Sequence, residues 1–297
     1  MLRRETARYP KASFALLLPP THHQRMENLA GRHAVLTGAS RGLGVHMARA
    51  LAAEGLVLTL AARSVTELAA VRDEIDGKCI AVPCDVADAD QRAHLVQHAE
   101  AELGPIDILV NNAGVEFASF YSTQDLAEIE HTISVNLLAP MLLTRDVLPA
   151  MVRRGQGHVV NIASAAGKSG TPFEVAYSAS KFGLVGFTQA LRSELRGSGV
   201  GCSVLCPGFV ADDGMWARFA EQGLTSNRIL GVSTPANVTA ALLTSIRKDR
   251  AEIVVNPTPL RPLLALEAIA PGLHPWFMEL MGVTKLFRRG AALRASG

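Results

Sequence analysis

The sequence predicts an α/β fold: a doubly wound parallel sheet of about seven strands with helices on both faces, plus a helical C-terminal tail. Three observations carry that expectation. Short apolar runs alternate with helical stretches of about a dozen residues, the pattern of strands joined by right-handed crossover helices. The runs are continuously apolar rather than alternating in polarity, as in strands covered on both faces. The first run ends in a glycine-rich turn that leads directly into the first helical stretch.

Taken in order, "HAVLTG" opens the pattern, and "GVHMARALAAEG" follows with helical spacing that stops at Gly55. The strand candidate "LVLTLAA", a helix from Ser64 to Ile75 and the strand candidate "KCIAVPCD" come next. A helix from Asp88 to Leu103 precedes "IDILVNNAG", and a long helical region from Asp125 to Arg153 precedes "GHVVNIAS". A helix containing "YSASK", the run "GCSVLCPG", a helix from Pro235 to Arg247 and "AEIVVN" complete seven strand candidates. After Asn256 the chain is proline-punctuated and apolar, then basic; it reads as two short amphipathic helices, Leu263–Ala270 and Trp276–Phe287. The expected division is a leader over 1–29, a dinucleotide-binding domain over 30–256 and an extension over 257–297. The leader is either disordered or the product of a start upstream of a true start at Met26.

Of 297 residues, 48% are apolar and 19% charged, which excludes a disordered chain. The net charge of +2 gives no long-range basic field, so nucleic acid is not an expected partner. Four cysteines in this length make no disulfide framework, and reduced, cytoplasmic-type thiols are expected. Cys202 and Cys206 lie in an apolar run without two further ligands at matching spacing, so no metal is expected. No stretch reaches the ~20 apolar residues of a membrane span.

The turn "TGASRGLG" has the strand before it and the helix after it that a dinucleotide site requires. Gly38, Gly42 and Gly44 allow the backbone to approach a pyrophosphate at the positive end of the helix. At the end of the second strand, where an acidic residue would hold the 2′-hydroxyl of NAD, Ala62 stands, followed by Arg63. Arg63 and Arg41 suit a 2′-phosphate, so NADP(H) is the expected cofactor and NAD(H) the alternative. In "YSASK", Tyr177 and Lys181 are four residues apart on a helix, so an ammonium stands beside a phenol and is expected to lower its pKa toward proton transfer near neutrality.

These motifs, with "CDV", "NNAG", Asn136 in "SVNLLAP", Ser164 in "NIASAAG" and "CPG" following in order, resemble the short-chain dehydrogenase/reductase family in its compact, Rossmann-type form, over roughly Leu29 to Asn256. The resemblance implies that Tyr177 is the general acid/base and that Lys181 holds the nicotinamide ribose. It implies that Ser164 hydrogen-bonds the substrate oxygen and that Asn136 orients a water in a proton relay. Ser40 and Leu43 belong to the glycine turn. Asp85 and Val86 are implied at the adenine, Asn111, Asn112, Ala113 and Gly114 along the cofactor, and Pro207 and Gly208 near the nicotinamide. Two departures are visible: Asp212 stands where the family usually has a threonine, and the glycine-rich C-terminal segment of acyl-carrier reductases is missing.

Val115, Phe117, Phe173, Phe209, Met215 and Trp216 are expected to wall the pocket, with Glu116, Glu174 and Asp212 as polar spots. The expected substrate is therefore a lipophilic ketone, aldehyde or alcohol, and reduction is the favoured direction. The tail, with Trp276, Phe277 and Phe287 beside Arg288 and Arg289, is expected first to pack internally; contact with a membrane surface is its second use. A homodimer or homotetramer is implied by the resemblance. The rival reading is a non-catalytic cofactor-binding regulator, and retention of Ser164, Tyr177 and Lys181 argues against it.

Overall fold

The computed structural model describes residues 26–211 and 231–295. The expected strands form as β1 (His33–Thr37), β2 (Val57–Ala62), β3 (Cys79–Pro83), β4 (Ile108–Asn111), β5 (Gly157–Ile162), β6 (Val200–Pro207) and β7 (Glu252–Val255). All pair in parallel in the order β3-β2-β1-β4-β5-β6-β7. Strand order reverses between β1 and β4, where Ala34 stands opposite Ile108 and Leu36 opposite Val110. Such a switch point opens a crevice outside the carboxyl ends of the strands, where an open α/β sheet binds its ligands.

The helices are α1 (Leu43–Ala53), α2 (Val65–Asp73), α3 (Ala89–Leu103), α4 (Leu126–Ile133), α5 (Ala139–Arg154), α6 (Val175–Glu194) and α7 (Pro235–Arg247). On one face Met47 and Leu51 of α1 and Val238, Leu242 and Ile246 of α7 pack with Leu36, Leu58 and Leu60 of the sheet. On the other, Leu95 of α3 and Leu143, Val147 and Met151 of α5 pack with Val35 and Val159. Burying both faces is why the strands read as unbroken apolar runs. Residues 126–154 are long and apolar enough by composition to cross a membrane, but their inner side lies on this core. Met26 and Leu29 are buried in the first layer, so the packed body includes the last residues of the expected leader.

Between α4 and α5 the chain widens into a π turn, Ser134–Leu138, within what the sequence presents as one helix. π turns of this kind gather at functional sites, and this one carries Asn136. The tail also differs from expectation. It forms three helices, α8 (Arg261–Ile269), α9 (His274–Leu280) and α10 (Val283–Ala295), because Gly282 at φ 72 breaks the expected Trp276–Phe287 helix. The tail folds back on the body, where Met278, Met281, Leu286 and Phe287 pack with Ala118, Phe173 and Phe209.

All four thiols are unpaired. Burial pushes Cys79 and Cys84 up to about 11 and Cys202 and Cys206 up to about 12, which makes them packing groups rather than nucleophiles.

Candidate active site

The glycine turn closes tightly on itself. A Cβ at Gly44 would lie 2.0 Å from the Gly38 carbonyl oxygen, and one at Gly38, where φ is 66, would lie 2.8 Å from Ala113 Cα. The N-terminus of α1 has no side-chain cap and no acidic residue in its first turn. Its free amides and dipole therefore face the cleft, as an anion-binding helix end requires. Thr37 and Asn112 brace the turn from beneath. Thr37 Oγ1 accepts from the backbone N–H of Asn112 at 3.0 Å and of Ala113 at 3.1 Å, while Asn112 Nδ2 donates to the carbonyls of Thr37 (3.0 Å) and Gly38 (3.1 Å).

This turn borders a cleft of about 630 Å³, whose lining includes Gly38, Ser40, Arg41, Gly42, Leu43, Gly44, Arg63, Asp85, Val86, Asn112, Ala113, Gly114, Pro207 and Gly208. Arg41 and Arg63 are exposed and, among the described residues, neither is in an ion pair. Asp85 accepts from the Ala87 N–H, and Arg92, itself buried, donates to the Val86 carbonyl at 2.6 Å, which fixes this side of the cleft. Asn111 is a correction. Its side chain points into the core and donates to Asn161 Oδ1 at 2.8 Å and Thr144 Oγ1 at 3.3 Å, and it does not line the cleft. Neighbouring residues on a strand face opposite ways, so Asn112 serves the cleft and Asn111 the core.

Ser164, Tyr177 and Lys181 meet at the opposite wall. Ser164 follows β5, and its Oγ accepts from the Ala166 N–H at 3.1 Å. Lys181, one turn beyond Tyr177 on α6, sits 5.6 Å from the tyrosine ring centroid and donates to the Ile162 carbonyl at 3.0 Å. Asn136 stands behind them, fully buried. Its Oδ1 accepts from the Val115 N–H and its Nδ2 donates to the Val115 carbonyl, both at 2.8 Å, with a second bond to Ser180 Oγ at 3.2 Å. Both amide N–H of Asn136 are thus used in tying the Val115 loop to α6. Ser180 donates to the Tyr177 carbonyl at 2.6 Å and completes the brace, a role the sequence reading did not assign.

The electrostatics differ from the expectation for Tyr177. Its phenol is pushed well above its ordinary value, first by burial, then by the charges of Glu116 and Glu174, against a smaller lowering by the nearby Ser164 hydroxyl. Lys181 is pulled down to about 8 by the same burial. Desolvation and the two glutamates dominate, and Tyr177 holds its proton at neutral pH.

Of the expected pocket wall, Val115 and Phe209 line the cleft. Phe173, at φ 68, packs beneath the tail, with Arg288 5.7 Å over its ring. Phe117 lies under Arg294 of α10 at 5.0 Å. Asp212, Met215 and Trp216 lie outside the described residues. The wall the sequence did not assign comes from the tail: Leu260, Leu263, Leu264, Met278, Met281, Val283 and Phe287 roof the cleft. Ser169 at the cleft rim donates to Glu267 at 3.1 Å, and Glu267 pairs with His274, so the roof is latched to the body.

A doubly wound sheet whose glycine turn, free helix end and Ser–Tyr–Lys wall enclose one cleft defines a dinucleotide-binding fold of the oxidoreductase type. The short chain dehydrogenase family profile matches residues 32–223. The chain belongs to the short-chain dehydrogenase/reductase family. It is 43% identical to the ketoacyl reductase HetN of Nostoc sp. over 264 residues, 85% of this chain and 91% of that protein. It is 34% identical to estradiol 17-beta-dehydrogenase 11 of Macaca fascicularis over 267 residues, 87% of this chain and 85% of that protein. A crystal structure of a metagenomic short-chain oxidoreductase in complex with NADP is similar at a TM-score of 0.67 and 34% identity, covering 78% of this chain and 99% of that one.

Proposed function

We propose that the protein interconverts a lipophilic ketone or aldehyde and its alcohol, with NADP(H) as cofactor and Tyr177 as general acid/base. The observation that carries this reading is the convergence of Ser164, Tyr177 and Lys181 on the wall of a cleft with an anion-binding turn at one end and an apolar roof at the other. The turn, whose backbone a Cβ would fill, fits a pyrophosphate, and Arg41 and Arg63 would hold a 2′-phosphate. Asp85 and Val86 would border the adenine and Lys181 the ribose. When bound, the nicotinamide supplies or accepts the hydride. Tyr177 delivers a proton to the substrate oxygen, and Ser164 donates to the same oxygen as charge develops on it. A phenol held protonated is ready for reduction, the direction we propose. Asn136 and Ser180 keep the loop and helix in register, so these groups are held in place before substrate arrives.

Turnover of long-chain ketones with NADPH should exceed that with NADH by about tenfold or more, and Arg41→Ala/Arg63→Ala should bring the two within about threefold of each other. Parallel absorbance assays check this, and a wild type that prefers NADH removes the roles given to both arginines.

The tail supports a second proposal. Leu266, Ile269, Leu273, Trp276 and Leu280 recur at three- and four-residue spacing and are exposed, Ile269 at 81% and Trp276 at 57%. An apolar strip on the roof of the cleft suits a membrane surface from which a lipophilic substrate enters. Wild type should co-sediment with anionic phospholipid vesicles and Ile269→Glu/Trp276→Glu should stay in the supernatant; a wild type that also stays there removes the idea. Leu138, Met141 and Phe182, exposed along α5 and α6 and the turn between α4 and α5, support a homodimer or homotetramer.

A further inference from the structure

Proton delivery by Tyr177 leaves one polar feature of the cleft unused. Glu116, just beyond β4, and Glu174, at the start of α6, both line it. Glu174 is only 2% exposed, and its Oε1 is buried with no hydrogen-bond donor in the protein. As the residue preceding α6 it is placed to cap the helix, yet its side chain makes no cap bond. A carboxylate there ordinarily accepts from the first-turn amides; this one turns to the cleft and meets the Glu116 carboxyl instead. Among the described residues, neither glutamate is in an ion pair, although Glu116 is near enough to Lys181 to raise the pKa of its ammonium. Burial, with a second carboxyl beside it, disfavours the ionised form of Glu174. Such an arrangement weakens the fold unless a ligand completes it.

We propose that Glu116 and Glu174 form a carboxyl pair that binds a hydrogen-bond-donating substituent, hydroxyl or ammonium, next to the reacting carbonyl, so that the substrate is a long-chain ketone bearing such a donor on the adjacent carbon. This rests on the reading of the cleft as a carbonyl-reducing site. Placement supports it. Glu174 is three residues before Tyr177 and therefore on the same face of α6, and the charges of both glutamates are felt at the phenol. A group on the pair is thus a near neighbour of a carbonyl on Tyr177. The roof above, with Phe209, Leu263, Met278, Met281 and Phe287, is apolar and offers a hydrocarbon chain no polar contacts. The pair is not a proton store for Tyr177, because among the described residues no hydrogen bond joins either glutamate to the phenol, and both raise its pKa.

The test uses three ligands of equal chain length: a long-chain methyl ketone, its hydroxymethyl analogue and its aminomethyl analogue. Binding to the full-length protein is read by calorimetry in the presence of NADP⁺, and kcat/KM with NADPH. The donor-bearing ketones should bind and react about tenfold or more better than the methyl ketone, since a site built around a donor rejects the analogue lacking it. A preference confined to the aminomethyl ligand assigns the pair to an ammonium, and one shared with the hydroxymethyl ligand assigns it to donors in general. Glu174→Gln and Glu116→Gln should each reduce the preference to about threefold or less. Equal binding of all three ligands by wild type overturns the proposal, as does an undiminished preference in both variants. Absence of turnover with every ligand sinks the carbonyl-reductase reading instead, and the binding ratios still decide the role of the pair.

Discussion

Tyr177→Phe should lower kcat by about 10²–10⁴-fold while leaving the dissociation constant for NADPH within about threefold of wild type. The substitution removes one oxygen from a ring that is 6% exposed and otherwise stays packed. Lys181 keeps its bond to the Ile162 carbonyl, and the Asn136 and Ser180 brace contacts the tyrosine only through its backbone carbonyl. What is lost is the proton. Among the described residues no other titratable side chain stands beside Ser164 on the wall where Tyr177 and Lys181 meet, and Lys181 is held by the Ile162 carbonyl. Glu174 is buried close by, but it faces Glu116. NADPH fluorescence titration and single-turnover rates separate the two effects. A Phe variant with near-normal turnover would contradict the acid/base assignment, and one that fails to bind NADPH would make Tyr177 a cofactor-positioning residue.

Features written in local spacing were legible before any coordinates. The seven strands are continuous apolar runs, and the glycine turn and the Tyr177–Lys181 pair each lie within eight residues of chain, where helix and turn geometry settle what meets what. Features that depend on a distant segment were not. Asn136 acts through Val115, reached only because the chain widens into a π turn between α4 and α5. The parity of β4 sends Asn111 into the core, and nothing in "NNAG" says where the strand ends. Tyr177 is governed by burial and by carboxylates from two segments, so the local Tyr–Lys spacing gave the wrong sign for its pKa. The tail reads as amphipathic, but which surface it covers depends on Phe209 and Ala118, far away in sequence. The boundary expected at residue 30 misses Met26 and Leu29 because two apolar residues have no periodicity to mark them as core.

Gly44→Ala should weaken NADPH binding by about a hundredfold or more, equivalent to ~2.7 kcal/mol, with cooperative unfolding retained. The added Cβ would stand 2.0 Å from the Gly38 carbonyl oxygen and 2.9 Å from Ala39 Cα. Those are backbone atoms of the turn itself and have no flexible end to swing aside. Relief requires the turn to open or α1 to back away, and either motion takes the free amides of the helix end from where a pyrophosphate would sit. Gly186→Ala is the matched control, because Gly186 lies on an exposed turn of α6 with nothing within 4 Å of an added Cβ. Replacing a helix-interior glycine at such a position stabilises by about 0.5–1 kcal/mol, so this variant should melt later and bind NADPH as wild type does. Thermal unfolding and NADPH fluorescence read both variants side by side. A Gly44→Ala protein that binds NADPH within about threefold of wild type would mean the turn has slack the geometry denies it, and the anion-binding role of α1 would fall with it.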